Sequence, residues 1–262
     1  MSQPVPAHSL RVLTLNCLFR GDVRARLRAI GRVLAGSDVD IVCLQEVIWR
    51  PHVRLLDGLL TDHGHAAFQP FGPAPMGGLV MFSRVPLQRR SYEVYRERGR
   101  WGTHGTPDRL IRKGFLTCWL DLGAEPVAVV NTHLLANYDG DWSPANRYAR
   151  QERSELEQLG QAIRAIPAGA AVIVAGDFNV PAASPMFQEF AAACGLSPAF
   201  DWGQVPPEGR FFRDIDNVLL RPPAGGRARL ASRLRFVDPV ELAGGRTGFA
   251  SDHVAVEADL AW

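Results

Sequence analysis

Short apolar runs recur along this chain, and their ends are polar. Residues 171–175 are wholly apolar; a run of that kind, without alternation, reads as a strand covered on both faces. Comparable runs predict strands at 11–18, 39–44, 66–71, 78–82, 115–122, 127–132, 215–220, 230–237 and 253–260. Helices fall between some of them. Val23, Leu27, Ile30 and Leu34 recur at helical spacing behind a candidate N-cap, Asp22, and Pro51 opens a short helix over 51–60. The longest helix is predicted over 144–166, with Tyr148, Leu156, Leu159 and Ile163 on its buried face, and another lies near 185–194. Many strands with few helices imply an α/β (α+β) fold of two sheets packed face to face and covered outside by helices. No composition shift, repeat or linker divides the chain, which predicts a single domain over 1–262. Residues 84–113 and 200–213 resist this reading and are expected to be long surface loops, which in compact domains are often functional.

Composition removes several classes of function. At 47% hydrophobic and 21% charged, the 262 residues hold enough apolar surface for a sizeable core. A net charge of +2 excludes the broad polybasic surface that binds duplex DNA by charge alone. Lys113 is the sole lysine; arginine elsewhere suits phosphate-seeking chemistry and equally follows from a GC-rich coding bias. The cysteines, Cys17, Cys43, Cys118 and Cys194, lie far apart in apolar runs, as buried thiols of a reducing compartment do. No basic segment followed by an apolar core opens the chain, and no apolar stretch approaches membrane-spanning length, so a cytoplasmic protein is expected. A G-x-x-x-x-G-K-[ST] loop is absent, which argues against a nucleotide-driven motor or kinase.

Chemistry-bearing residues gather at the strand ends. Asn16 closes the first run and Glu46 the second; Asn131 and His133 end another; Asp177 and Asn179 follow 171–175; Asp252 and His253 open the last. Rigid strand ends leading into loops are where catalytic groups are commonly presented. Residues two apart share a side of an extended strand, so Asp177 with Asn179, and Asn131 with His133, can project together. Taken alone, Gly176-Asp-Phe-Asn-Val-Pro is an ordinary Asx-type turn, Glu46 a solvated strand end and His133 a satisfied polar residue.

The set is more specific than its members. Leu13-Thr-Leu-Asn-Cys, Leu44-Gln-Glu-Val, Asn131-Thr-His-Leu, Gly176-Asp-Phe-Asn-Val and Ser251-Asp-His-Val-Ala-Val resemble, in order and approximate spacing, the motifs of the endonuclease/exonuclease/phosphatase superfamily. This resemblance implies a four-layer α/β/β/α sandwich, two packed mixed β-sheets flanked by helices, with the site at one edge. It further implies Glu46 as the principal metal carboxylate, Asn16 beside it as ligand or phosphate contact, and Asp252 approaching the metal directly or through water. Hard oxygen ligands suit Mg²⁺, with Mn²⁺ as substitute. Asp177 and Asn179 would position water and phosphate, His133 would stabilise phosphorane charge or the leaving oxygen, and His253 would be the general base; whether Asp177 or His253 takes the proton stays open. Asp252 and His253 are neighbours, so on an extended strand they face opposite ways, and the ring of His253 needs another partner to fix its tautomer. Asp216 matches the family's carboxylate in that role; read by itself, it is a solvated strand opening.

Within the superfamily the chain is most similar to the neutral-sphingomyelinase-like branch. Gly77-Gly-Leu-Val-Met-Phe-Ser-Arg, Arg109-Leu-Ile-Arg-Lys-Gly-Phe and Asn131-Thr-His-Leu-Leu-Ala-Asn-Tyr carry that likeness, with Arg147 and Gln151 sharing a helix face further on. It implies a Mg²⁺-dependent phosphoesterase acting on a phosphodiester or phosphomonoester of a lipid headgroup or small molecule. Asp108 and Lys113 would contribute to the rim. The alternative is a nuclease with the same centre, drawing phosphate contacts from 84–113. Departures exist: the leader and apolar hairpin of secreted bacterial sphingomyelinases are not evident, Asn16-Cys-Leu stands where the abasic-site branch has Asn-Gly, and the inositol-phosphatase signature is missing. Trp142, Trp202, Phe211 and Phe212 are loop aromatics that either meet lipid or a base, or fold back onto the core.

Overall fold

The computed structural model describes residues 9–99, 102, 105–123, 125–205, 211 and 214–262. Its elements in chain order begin with β1 (Ser9–Asn16), α1 (Val23–Ala35), β2 (Ile41–Gln45), α2 (Arg50–Asp57), β3 (His65–Ala67), β4 (Pro70–Phe71), β5 (Ala74–Pro75), β6 (Val80–Ser83) and β7 (Leu87–Val94). They continue with α3 (Thr106–Ile111), β8 (Gly114–Leu120), β9 (Val127–His133), α4 (Arg147–Ala165), β10 (Ala171–Asp177), α5 (Pro185–Cys194) and β11 (Ser197–Pro198). The last are β12 (Asp216–Arg221), β13 (Arg229–Arg235), β14 (Val240–Glu241), β15 (Thr247–Gly248) and β16 (Ala255–Ala261). Helix starts follow local chemistry: the Asp22 carboxylate accepts from Ala25 N–H, the Asn146 side chain from Tyr148 and Ala149 N–H, and Ser184 Oγ from Phe187 N–H.

Two six-stranded mixed sheets result, ordered β13-β16-β1-β2-β6-β3 and β11-β12-β10-β9-β8-β7. Each contains one parallel pair bridged by a helix: β1 and β2 across α1, β9 and β10 across α4. Successive residues of the central strands feed different layers. Val12, Ile41, Cys43, Ile173 and Ala175 meet between the sheets. Leu13, Leu15, Val42 and Leu44 turn outward onto Leu27, Ile30 and Leu34 of α1 and Val53 and Leu56 of α2. On the far side Val130, Val172 and Val174 pack against Leu156, Leu159 and Ile163 of α4 and Phe187 and Phe190 of α5. The strands are therefore apolar on both faces because helix covers one and sheet the other. The molecule is an α/β/β/α sandwich, as the strand pattern anticipates.

One polar staple crosses the inner layer. Gln45 Nε2 donates to Asn131 Oδ1 (2.7 Å), while Asn131 Nδ2 donates to the carbonyls of Leu44 and Val80 (3.1 Å each). Gln45 and Asn131 are both fully buried. Glu46 follows Gln45 and His133 lies two residues past Asn131, so the staple fixes the separation of the two sheet edges beside those side chains.

The long-loop expectation for 84–113 is overturned over much of its length. β7 is an edge strand paired with β8, and α3 follows. Arg89 and Arg90 point to opposite faces and are both exposed, because neither face of the sheet is fully covered at this edge. Over 200–213, Trp202 folds inward and donates from Nε1 to Asn217 Oδ1 (3.1 Å), and Phe211 packs edge-on against Phe249. Trp142 lies against the α4–α5 cluster; Phe212 and Trp101 fall outside the described residues. All four cysteines are buried and free, and no helix among the described residues is long and apolar enough to cross a membrane.

Replacing Asn131 by alanine removes one buried acceptor from Gln45 and one donor from each of two buried carbonyls at once. Asn131→Ala is expected to cost about 2 kcal/mol or more in urea unfolding; an unchanged midpoint would show that the staple carries no stability.

Candidate active site

Register assembles the second sheet's contribution. Asp177 is the cross-strand partner of His133 on β9 and of Asp216 on β12, so residues distant in sequence occupy one rung at the sheet edge. Paired residues on adjacent strands project to the same face. All three side chains are buried, His133 at 2% exposure, Asp177 at 1% and Asp216 at 0%. The first sheet supplies Asn16, opposite Gln45 at the ends of β1 and β2, and then Glu46. Ser251 Oγ donates to the Asn16 carbonyl (2.6 Å), which draws the Asp252–His253 turn onto the same edge.

Asp177 is the hub. Its Oδ2 accepts from Asn16 Nδ2 (2.9 Å) and lies 3.4 Å from His133 Nε2 and 4.0 Å from His253 Nε2; its Oδ1 accepts from Asn179 N–H (2.9 Å). Asn16 Nδ2 also reaches Glu46 Oε1 (3.2 Å), and Phe19 N–H donates to Glu46 Oε2 (2.8 Å). His253 Nδ1 sits 2.6 Å from Asp216 Oδ2, while Asp252 Oδ1 stands 4.0 Å from Nε2 on the other side of the ring. Asp177, Asp216 and His253 bring metal-ligating atoms within 4.8 Å of one another.

Two of these residues adopt costly backbone. Glu46 and Asn179 have φ of 62° and 52°, in the left-handed region that side chains disfavour. Asn179 is therefore not carried on an extended strand beside Asp177; the segment is an Asx turn and part of the site together. Its side-chain amide donates to the Leu134 carbonyl (3.0 Å). Gly176 permits the approach behind them, since a Cβ there would stand 2.1 Å from the Thr132 carbonyl oxygen.

Electrostatics divides the two imidazoles. Burial, reinforced by Lys113 and His253, holds His133 well below the usual histidine range, so it is neutral. For His253 burial alone would do the same, but Asp216, Asp177 and Asp252 carry its pKa up to about 10. Asp216 is itself raised by burial and partly relieved by the His253 charge. Burial also raises Glu46, against the opposing pull of Phe19 N–H, Lys113 and Asn16.

Behind the rung lies a polar layer that the sequence reading missed in part. Lys113 Nζ pairs with Asp108 Oδ1 (3.0 Å) and donates to the Leu134 carbonyl (2.8 Å), so both are buried supports rather than an exposed rim. Glu155 accepts from Leu135 N–H (2.8 Å), and burial raises it to about 8 and its neighbour Glu152 to about 9. The signal was present: both acids fall on the stripe of α4 that carries Tyr148, Leu156 and Leu159 into the core. Gln151 is turned to Glu155, and Arg147 and Gln151 line a pocket with Arg98 and Arg150 whose walls include none of the candidate site residues.

The Endonuclease/Exonuclease/phosphatase family model matches residues 13–253. An inositol phosphosphingolipids phospholipase C of Schizosaccharomyces pombe is 35% identical over 181 residues, covering 66% of this chain and 42% of that protein. The chain spans about two fifths of the length of the curated relatives it matches. Sphingomyelinase C of Streptomyces griseocarneus superposes with a TM-score of 0.70 at 23% identity, covering 97% of this chain and 99% of that one. A Staphylococcus aureus beta toxin variant with bound magnesium ions gives 0.74 at 15% identity, covering 96% and 99%. Likeness at those identities establishes the shared fold.

Among the attractions that hold the His253 proton, that of Asp216 is largest. In metal-free Asp216→Asn, the His253 pKa is expected to fall well below about 10, followed by NMR titration of the ring; a pKa equal to wild type would show the pair to be uncoupled.

Proposed function

Since the chain belongs to the endonuclease/exonuclease/phosphatase family, we propose that it is a divalent-metal-dependent phosphoesterase hydrolysing a phosphodiester of a lipid headgroup or small molecule. The observation that carries this reading is the convergence of Glu46, Asp177, His133 and His253 where the ends of the two sheets meet: Asn16 bonds both carboxylates, and both imidazoles lie within 4.0 Å of Asp177 Oδ2. The lipid preference is supported by the phospholipase C relative.

The donor set fits a hard cation. Glu46, Asp177, Asp216 and Asp252 crowd one edge, burial raises Glu46, and buried Asp216 Oδ1 has no hydrogen-bond partner. Concentrated carboxylate charge of this kind suits Mg²⁺, with Mn²⁺ as substitute, because both prefer oxygen ligands. Glu46 would hold the ion, with Asp252 nearby; Asn16, whose Oδ1 accepts from Leu18 N–H, steadies the Glu46 carboxylate. Asp216 and His253 are the weaker assignment for it, because their 2.6 Å contact is a proton-sharing distance. A divalent cation at Glu46 would polarise a phosphoryl oxygen, steady the leaving oxygen and ease the proton off His253 by repulsion.

The chain's own residues divide the remaining work. Asp216 occupies His253 Nδ1 and leaves Nε2 directed toward Asp177, where a water between them would lose its proton to the ring. Asp177 cannot swing away, being held by Asn16 and by Asn179 N–H, so it orients that water. Neutral His133 offers a hydrogen bond to phosphoryl charge without adding a competing cation. No covalent enzyme intermediate is required.

Purified protein is expected to hydrolyse bis(p-nitrophenyl) phosphate with Mg²⁺ or Mn²⁺, to stop on EDTA and to recover on readdition of metal. Glu46→Ala and His253→Ala should each lower kcat by roughly a hundredfold to ten-thousandfold; undiminished turnover in either removes the mechanism. A panel at one salt concentration, with sphingomyelin-like lipid, phosphatidyl headgroup esters, sugar and nucleotide phosphates and plasmid DNA, should favour the lipids. Preference for DNA would replace the lipid reading with the nuclease one.

A further inference from the structure

Arg26 stands where a cation is least expected. It is the fourth residue of α1, near the positive end of the helix dipole, and it is only 8% exposed. Its guanidinium bonds carbonyls rather than a carboxylate: Nη2 donates to the Leu18 oxygen (2.5 Å) and the Arg20 oxygen (2.6 Å), while buried Nε has no partner. Asp252, Asp22 and Glu46 are among the groups that favour its charge. A buried charge without a bonded counter-ion is costly, so helix formation alone does not account for arginine at this position.

What Arg26 holds is one peptide. The Leu18 carbonyl and the Phe19 N–H belong to the same planar trans unit and point in opposite directions. The guanidinium takes the carbonyl end, and the N–H end donates to Glu46 Oε2 (2.8 Å). On the preceding peptide, Leu18 N–H donates to Asn16 Oδ1 (3.0 Å), which leaves Asn16 Nδ2 for Glu46 Oε1 and Asp177 Oδ2. Both Glu46 oxygens are thus bonded to the 16–19 segment, and that segment sets the direction of the carboxylate. The turn is strained, because Leu18 has a φ of 53° in the left-handed region. By gripping the carbonyls on either side of Phe19, Arg26 prevents the strained peptide from rotating without loss of a buried bond. Hydrogen bonds in series through one peptide also polarise each other, which strengthens the end that meets the carboxylate. Gly21, with a φ of 73°, closes the loop over the guanidinium: a Cβ there would stand 3.3 Å from Arg26 Nη1.

We propose that Arg26 is a positioning residue for the candidate cation site, holding the Leu18–Phe19 peptide so that its N–H aims the Glu46 carboxylate. The proposal rests on the reading of Glu46 as the residue that holds the ion. Geometry and charge predict opposite signs. By charge alone, deleting a cation that interacts with Glu46 and Asp252 tightens Mn²⁺ binding; by loss of the held peptide, it weakens it.

Calorimetric titration with Mn²⁺, and amide exchange followed by NMR in EDTA, read the effect without turnover. Arg26→Met is expected to raise the Mn²⁺ dissociation constant about tenfold and to speed Phe19 amide exchange by at least about as much, as loss of a charge-assisted hydrogen bond demands. Arg26→Lys keeps the charge and a donor for one carbonyl, and should recover part of both. Gly21→Ala, on the exposed loop, should shift both in the same direction and serves if Arg26→Met does not fold. Arg24→Met, an exposed neighbour on α1, should match wild type. In hydrolysis of bis(p-nitrophenyl) phosphate, Arg26→Met should raise the half-saturating Mn²⁺ concentration about tenfold while kcat at saturation falls less than about threefold.

Mn²⁺ binding by Arg26→Met equal to wild type or tighter overturns the proposal, as does Phe19 exchange at the wild-type rate; with binding still lost in Glu46→Ala, the cation site itself would stand. Absence of Mn²⁺ binding by wild type, or binding indifferent to Glu46→Ala, overturns the proposal together with the cation reading of Glu46. Weakened Mn²⁺ binding in Arg26→Met, with no phosphoester hydrolysed by wild type, would leave the positioning role standing and remove the phosphoesterase reading instead.

Discussion

Strand β10 sets the geometry on which the candidate site depends. Its ladder to β9 places Asp177 level with His133, and its ladder to β12 places the same residue level with Asp216. A slip of one residue on either side would send one of these side chains into the opposite apolar layer. The register cannot slip cheaply, because Val172 and Val174 are committed to the helical side and Ile173 and Ala175 to the sheet–sheet interior. The core therefore does more than stabilise the fold; it aligns three polar side chains on one rung at the sheet edge.

Alignment within one sheet would leave Glu46 stranded on the other. The Gln45–Asn131 bond joins the sheets where their functional ends meet, and Asn16 then bridges Glu46 and Asp177. Buried polar bonds of this kind are weak sources of net stability but costly to break, which makes them effective spacers. The same edge stores unfavourable features: left-handed backbone at Glu46 and Asn179, an unpartnered Asp216 oxygen, and an unpartnered His133 Nδ1. A local concentration of strain and unmet polar demand is what a site prepared for a charged ligand would show.

Legibility from sequence varied with the range of the interaction. The α1, α4 and α5 helices and most central strands could be read because their apolar period, caps and punctuation lie within the segment itself. β7 could not: an edge strand exposed on both faces, with consecutive arginines, has neither full apolarity nor clean alternation. The loop aromatics Trp202 and Phe211 turned inward, while the exposed ones proved to be Trp49, Phe71 and Tyr138, since no local pattern reports which neighbour will cover a ring. Glu152 and Glu155 lay on a helical stripe that already looked apolar, and their burial had to await the loop that closes over them.

The sequence by itself determined which chemical groups stand at strand ends and that the strands between them are apolar on both faces, because residue type and short-range periodicity are local properties. Five ordered motifs were enough to indicate the family from those groups. Only the tertiary structure decided that Asn16 joins two carboxylates, that Gln45 is tied to Asn131 across the inner layer, and that Lys113 is buried against Asp108. Each of those outcomes depends on strands and loops far apart in the chain pairing in one register, and that pairing is selected by the whole core rather than written in any one segment.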